Sequence, residues 1–88
     1  MFELKKTTPV ELKDTVPMML SEDFRERFKA EYYQTRIRYE RLKKMLDNWD
    51  HLNFTPRNQK QLLWHQADRM EEYLYDLEVR AEIEGIEL

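Results

Sequence analysis

Two long stretches of the chain place apolar side chains at alternating spacings of four and three residues. In the first stretch these positions are Phe28, Tyr32, Thr35, Tyr39, Leu42, Leu46 and Trp49, with the threonine as a polar exception. In the second stretch they are Leu63, Ala67, Met70, Leu74, Leu77 and Ala81. This spacing follows one face of an α-helix, whereas a strand would alternate with a period of two. The pattern predicts two long helices that pack together through these faces.

Capping signals indicate where the two helices begin and end. Ser21 is followed by two acidic residues and is a suitable N-cap, so the first helix is predicted over residues 22–49. Thr55-Pro56 combines a capping residue with a proline at the first helical position. The second helix is predicted over residues 56–84, and Gly85 can close it.

The predicted helices match in length, about 42 Å each at 1.5 Å per residue, and only a short segment joins them. These features favour an antiparallel two-helix hairpin over residues 21–88. Residues 1–20 form an N-terminal arm, in which the sequence Thr8-Pro9-Val10-Glu11 is a capping box. It predicts a short helix over residues 9–15, interrupted by Pro17. The predicted fold class is all-α.

A hairpin of two helices does not bury all of the apolar side chains in this sequence. Those away from the main seam are Phe24, Ile37, Met45, Trp64, Tyr73 and Ile83. The arm can fold back over some of them, but the remainder would form exposed patches of the kind that mark partner surfaces. We therefore predict that homo-oligomerisation completes the core.

Composition limits the protein class further. The chain has 88 residues, enough for one domain, and it has no cysteine, which excludes a disulfide framework and a zinc–thiolate site. No apolar run approaches the roughly 20 residues of a membrane span, and the N-terminus lacks a signal-peptide pattern. The sequence therefore predicts a cytoplasmic protein with no membrane partner.

Charge differs between the two halves of the chain. Residues 1–44 hold 11 Lys/Arg and 8 Asp/Glu, which gives +3, whereas residues 45–88 hold 4 and 10, which gives −6. One interpretation is attraction between the two helices, and the other is that the basic helix binds an anionic ligand. Extended nucleic acid fits less well than a compact anion, because the net charge is −3.

The sequence offers little for catalysis. It has two histidines, His51 and His65, and lacks a nucleophile–base set, an HExxH motif and a glycine-rich loop. Asp47 and Asp50 lie near His51 and could contact a metal, but polar residues in a connecting loop are more often solvated. The acidic residues Glu71, Glu72 and Glu78 are interpreted as a solvated face. We predict a protein that is not an enzyme and has neither metal nor cofactor.

Aromatic and basic residues crowd together in the first helix. Within 13 residues the chain holds Tyr32, Tyr33, Arg36, Arg38, Tyr39, Arg41, Lys43 and Lys44. The second helix adds Trp64, His65, Arg69, Tyr73 and Arg80. Aromatic rings stack on nucleobases and arginine binds phosphate through two N–H groups, so such a set suits a nucleotide. The structural interpretation is also open, since Tyr32 and Tyr39 fall on the seam.

The spacing over residues 24–86 resembles that of small helical bacteriophage proteins similar to the anti-CBASS sponges, which sequester cyclic oligonucleotide immune signals. The segments that carry the resemblance are Phe28–Tyr32, Arg38–Leu46 and Leu62–Ile83. The resemblance implies a homo-hexamer that binds cyclic dinucleotides, and in some members cyclic trinucleotides, without changing them chemically. Tyr32 or Tyr33 would match the family's base-stacking tyrosine. Lys43, Lys44 or Arg69 would match its basic groups.

The helical register distinguishes between the two tyrosines. Tyr32 falls on the seam, whereas Tyr33 lies one residue off it and is predicted to face outward beside Arg36. Lys44 lies about three turns further along and would reach a phosphate across a protomer boundary. Tyr33 and Lys44 are therefore expected to bind ligand without contributing to stability. The alternative function is a helical interaction module that inhibits a host factor through its remaining apolar surface.

Overall fold

The structure is a computed structural model that describes residue 9 and residues 11–88, and all regular structure in this part of the chain is helical. Its elements are a 3-10 helix at Leu12–Thr15, α1 at Val16–Met19, α2 at Phe24–Asp47, a second 3-10 helix at Trp49–His51, and α3 at Lys60–Glu84. The all-α fold class is therefore confirmed.

Both long helices are shorter than predicted. α2 begins at Phe24 because the side chain of Asp23, not that of Ser21, accepts a hydrogen bond from the first turn, from the backbone N–H of Arg25 at 2.9 Å. α3 begins four residues later than Pro56, after Gln59. Asparagine disfavours a helix interior because its side chain competes for backbone hydrogen bonds, and Asn58 lies in the bend before α3.

Of the two predicted C-terminal helix ends, that of α3 is accurate and that of α2 is not. α2 ends at Asp47, two residues before the predicted end, and the chain then tightens into the second 3-10 helix. α3 ends where predicted, because Gly85 has a left-handed φ of 70° and its backbone N–H bonds back to Ala81. A left-handed residue after a helix is usually glycine, which has no Cβ to clash.

The predicted seam forms the core between α2 and α3. Tyr32 and Leu77 are both 0% exposed, and Leu74 is 1% exposed. Contacts across the seam pair residues in reverse order along the chain. The cross-helix pairs are Phe28 with Arg80, Tyr32 with Glu78, and Tyr39 with Glu71. The start of α2 therefore lies against the end of α3.

The N-terminal arm packs on α2. Thr15 is 0% exposed and its Oγ1 accepts a hydrogen bond at 2.9 Å from Nε2 of Gln34 on α2. Within the range of the predicted short helix over residues 9–15, the structure has a 3-10 helix at Leu12–Thr15 that Glu11 and Asp14 cap. Thr8 lies outside the described residues. Pro17 does not interrupt a helix but stands in the first turn of α1, where its missing N–H costs nothing.

Several apolar side chains stay exposed in the single chain, as predicted from the positions away from the seam. Phe24 is 51% exposed, Tyr73 41% and Ile83 79%, whereas Ile37 is buried. Homo-oligomerisation over these side chains stays a prediction. Every helix in the described part of the chain is too short or too polar to cross a membrane.

Candidate ligand-binding site

Two of the six predicted site residues meet in a buried polar cluster between α2 and α3, and a third, Tyr33, packs against one of them. The hydroxyl of Tyr32 donates a hydrogen bond to Oε2 of Glu78 at 2.7 Å and accepts one from Nη1 of Arg36 at 3.2 Å. Arg36 is 7% exposed, and its Nε donates to Oε1 of Glu40 at 3.0 Å. A buried guanidinium is tolerated only when it is paired and hydrogen-bonded, and here the Glu40 carboxylate and the Tyr32 phenol supply those partners.

Two carboxylates of α3 have a role that the sequence interpretation missed. Glu78 and Glu71 were expected to be solvated, but Glu78 accepts from Tyr32 and Glu71 accepts from the hydroxyl of Tyr39 at 2.6 Å. The two glutamates are seven residues apart, as are the two tyrosines. This matched heptad spacing beside the seam is the signal that predicts the pairing.

The prediction that Tyr33 faces outward is wrong. Tyr33 is 3% exposed, and its ring lies edge-to-face against Tyr32 with centroids 5.2 Å apart and planes at 78°. Ala30 and Ile37, three and four residues away, share its helix face and are also buried. Tyr33 belongs to the hydrophobic core, and Met18 of the arm, which packs on α2, lies against that core. A base therefore finds no open face of this ring to stack on.

The tyrosines of α2 hold their protons more tightly than free tyrosine. Burial raises the pKa of Tyr33, and it raises the pKa of Tyr32 further together with the hydrogen bond to Glu78. Burial and the hydrogen bond to Glu71 raise the pKa of Tyr39 to about 12. The folded state therefore favours the neutral phenols, since an ionised phenolate would face a carboxylate in a dry environment.

Raising the pH from about 9 to about 11 is expected to destabilise the fold. Because the pKa of Tyr39 is higher in the folded chain than in the unfolded one, its stabilisation is complete below pH 10 and disappears towards pH 12. At about pH 11 the loss from Tyr39 alone is about 1.4 kcal/mol. Urea unfolding at both pH values measures this loss in the free energy of unfolding. Tyr39→Phe has no ionising hydroxyl and should lose less stability, and equal losses in the two proteins would contradict the assignment.

The remaining three predicted residues lie apart from this cluster. The ammonium of Lys43 lies 4.5 Å from the ring centroid of Trp64 and 3.2 Å from Oδ1 of Asp47. Lys44 and Arg69 are exposed and form no ion pair within the described residues. The six residues therefore do not form one site, because the helical turn carries Lys43 and Lys44 to different sides of α2.

An acidic groove of about 680 Å³ runs along α3. Its lining residues are Glu71, Glu72, Leu74, Tyr75, Asp76 and Glu78. Four carboxylates around one opening create a negative potential, which repels phosphate. Within the described residues no group of three histidine, aspartate or glutamate side chains could hold a metal ion.

A comparison with protein families finds one match, to the family described as Sequestin, over residues 22–83. This range spans all of α2 and reaches one residue short of the end of α3. Neither the curated proteins nor the solved structures contain a match to the chain.

Proposed function

The chain belongs to the Sequestin family, and from this premise we propose that it binds and sequesters a cyclic oligonucleotide immune signal without changing it chemically. The family name itself points to sequestration. The proposal adds the ligand class, a cyclic di- or trinucleotide, and the setting, a bacteriophage protein that acts against host defence in the cytoplasm of an infected bacterium.

The observation that carries the proposal is the extent of the family match. It covers the two long helices and leaves out the arm that ends at Met19. Side chains that recognise the family's ligand are therefore expected on α2 and α3. These helices carry the aromatic and basic residues that suit a nucleotide, with stacking for the bases and arginine or lysine for the phosphates.

Sequestration needs affinity and a rigid binding surface rather than reacting groups. The central polar side chains of the bundle already bond to one another, as in the hydrogen bonds of Tyr32 with Arg36 and Glu78. Such satisfied networks hold the helices in fixed register and leave recognition to the outer faces. A homo-oligomer, with a hexamer as the form that the resemblance implies, would cover exposed apolar residues such as Phe24 and Leu62.

Calorimetry of the 88-residue chain tests the proposal. The probes are cyclic di-adenylate, cyclic di-guanylate and cyclic tri-adenylate, with the linear di-adenylate as the control. We expect at least one cyclic probe to bind more tightly than about 100 μM, roughly −5.5 kcal/mol. We also expect chromatography of the released probe to recover it unchanged. Weaker binding by all three cyclic probes, or their cleavage, would contradict the proposal.

A second candidate function rests on the exposed apolar side chains. Ile83 is 79% exposed and Leu62 53% exposed on a helix whose opposite side forms the core. Such side chains suit a helical module that binds and inhibits a host protein. This alternative predicts that a complex with a protein forms in the absence of any nucleotide and that the calorimetric probes do not bind.

A further inference from the structure

We propose that the ligand's phosphates bind on the flank of the bundle opposite Glu71 and Glu78, the two groove carboxylates that accept hydrogen bonds from tyrosines of α2. This arginine face consists of Arg38 on α2 and of Arg69, Tyr73 and Arg80 on α3. The inference rests on the proposed function and assigns its site, replacing the predicted pair of Tyr33 and Lys44.

Helix geometry separates the arginine face from Glu71 and Glu78. The other two groove carboxylates, those of Glu72 and Asp76, lie at the edge of the arginine face, three residues from Arg69 and four residues from Arg80 respectively. Two residues along an α-helix correspond to a rotation of about 200°, so residues two apart lie on opposite sides. Arg80 is two residues from Glu78, and Arg69 and Tyr73 are each two residues from Glu71, which lines the groove. Arg38 is likewise two residues from Arg36, whose partner Tyr32 bonds to Glu78.

Cross-helix contacts bring Arg38 of α2 level with Arg69 and Tyr73 of α3. Because Tyr39 bonds to Glu71, the adjacent Arg38 lies level with the turn of α3 that carries Arg69 and Tyr73. Arg80 lies two turns further along α3, and its guanidinium carbon is 5.1 Å from the ring centroid of Phe28. That contact fixes the arginine on the flank of the seam while leaving its side chain partly in solvent.

The basic side chains on the two sides of the bundle differ in whether they already form ion pairs. On the groove side, Arg36 is paired with Glu40 at 3.0 Å and Lys43 is paired with Asp47 at 3.2 Å. On the opposite side, Arg38 and Arg69 are exposed and form no ion pair within the described part of the chain. An anion therefore finds, within the described residues, two unpaired guanidinium groups on the arginine face, whereas Arg36 and Lys43 on the other side are already paired.

Tyr73 supplies an aromatic surface beside these charges. It is 41% exposed, whereas Tyr32, Tyr33 and Tyr39 are all buried. A base can stack on an exposed ring, and the neighbouring arginines can bind the phosphates on either side of that base through paired N–H groups. The arrangement suits a nucleotide that carries at least two phosphates, such as a cyclic dinucleotide.

Substitutions on the arginine face test the assignment by calorimetry with cyclic di-adenylate, cyclic di-guanylate, cyclic tri-adenylate and inorganic pyrophosphate. Arg69→Ala and Tyr73→Ala should each weaken the binding of the cyclic probes at least tenfold, with little change in melting temperature because both side chains are exposed. Tyr73→Phe should retain binding, since it keeps the ring. Pyrophosphate has no base, so its binding should weaken in Arg69→Ala and stay unchanged in Tyr73→Ala.

Arg57→Ala is the matched control, because Arg57 is an exposed arginine in the segment between α2 and α3. It should bind each probe within twofold of the unsubstituted protein. Cyclic probes that bind Arg69→Ala and Tyr73→Ala as tightly as the unsubstituted protein would overturn the arginine face and leave the proposed function intact. Failure of every cyclic probe to bind the unsubstituted protein would overturn both.

Discussion

Tyr33→Ala is expected to lower the free energy of unfolding by about 3 kcal/mol or more, in the range that large aromatic truncations in cores cost. Tyr33 is 3% exposed and packs edge-to-face on Tyr32, so alanine would leave a cavity beside the Tyr32 ring. The loss should appear in urea unfolding followed by circular dichroism, as a lower midpoint with a similar slope.

Tyr75→Ala is the matched control for this substitution. Tyr75 is 65% exposed on α3, so the same change should alter the free energy of unfolding by no more than about 0.5 kcal/mol. If Tyr33→Ala were as mild as Tyr75→Ala, Tyr33 would not be buried in solution. The outward orientation predicted from the register alone would then be correct.

Leu77→Ala is expected to destabilise the fold by about 3 kcal/mol, within the range of about 2–5 kcal/mol measured for buried leucines. Leu77 is 0% exposed in the middle of the seam between α2 and α3. Removing its three outer carbon atoms loses apolar burial and leaves a cavity that two rigid helices cannot easily close. For a chain of this size, 1 kcal/mol corresponds to about 4–8 °C in melting temperature, which calorimetry resolves easily.

Two companion variants separate core packing from helix propensity. Leu62→Ala makes the same chemical change on the same helix at a position that is 53% exposed, and it should have a small effect. Leu77→Met keeps the side-chain volume and should cost less than about 1.5 kcal/mol. Similar losses for Leu77→Ala and Leu62→Ala would show that Leu77 is not the centre of the core.

The basic first half and the acidic second half of the chain contact each other through hydrogen bonds from tyrosines, and the ion pairs lie within each segment. The ion pairs among the described residues join neighbours within one segment, such as Arg36 with Glu40 and Lys43 with Asp47. The hydrogen bonds between α2 and α3 instead run from tyrosine hydroxyls to glutamates. Phenols have no charge to desolvate, so they reach a carboxylate across an apolar seam more cheaply than lysine or arginine would.

The amino-acid sequence alone determined the two long helices and their contacting faces. The spacing of four and three residues fixes which side chains of a helix share a face, because that depends only on the local geometry of 3.6 residues per turn. Leu63, Ala67, Leu74, Leu77 and Ala81 are accordingly all buried, as predicted. The end of α3 was predictable for the same reason, since only the local conformation of Gly85 is involved.

Tertiary structure decided which side chains off the seam are open to a ligand. Tyr33 is buried although it lies off the seam, on a helix against which the arm packs, and the bond from Gln34 to Thr15 joins residues 19 positions apart that no local pattern brings together. Glu78 gained its role in the same way, from Tyr32 on the other helix. Helix periodicity assigns a residue to one side of a helix. Whether that residue is buried or forms an ion pair depends on which distant segments pack against that side. Such contacts between remote parts of the chain form only when the whole domain packs.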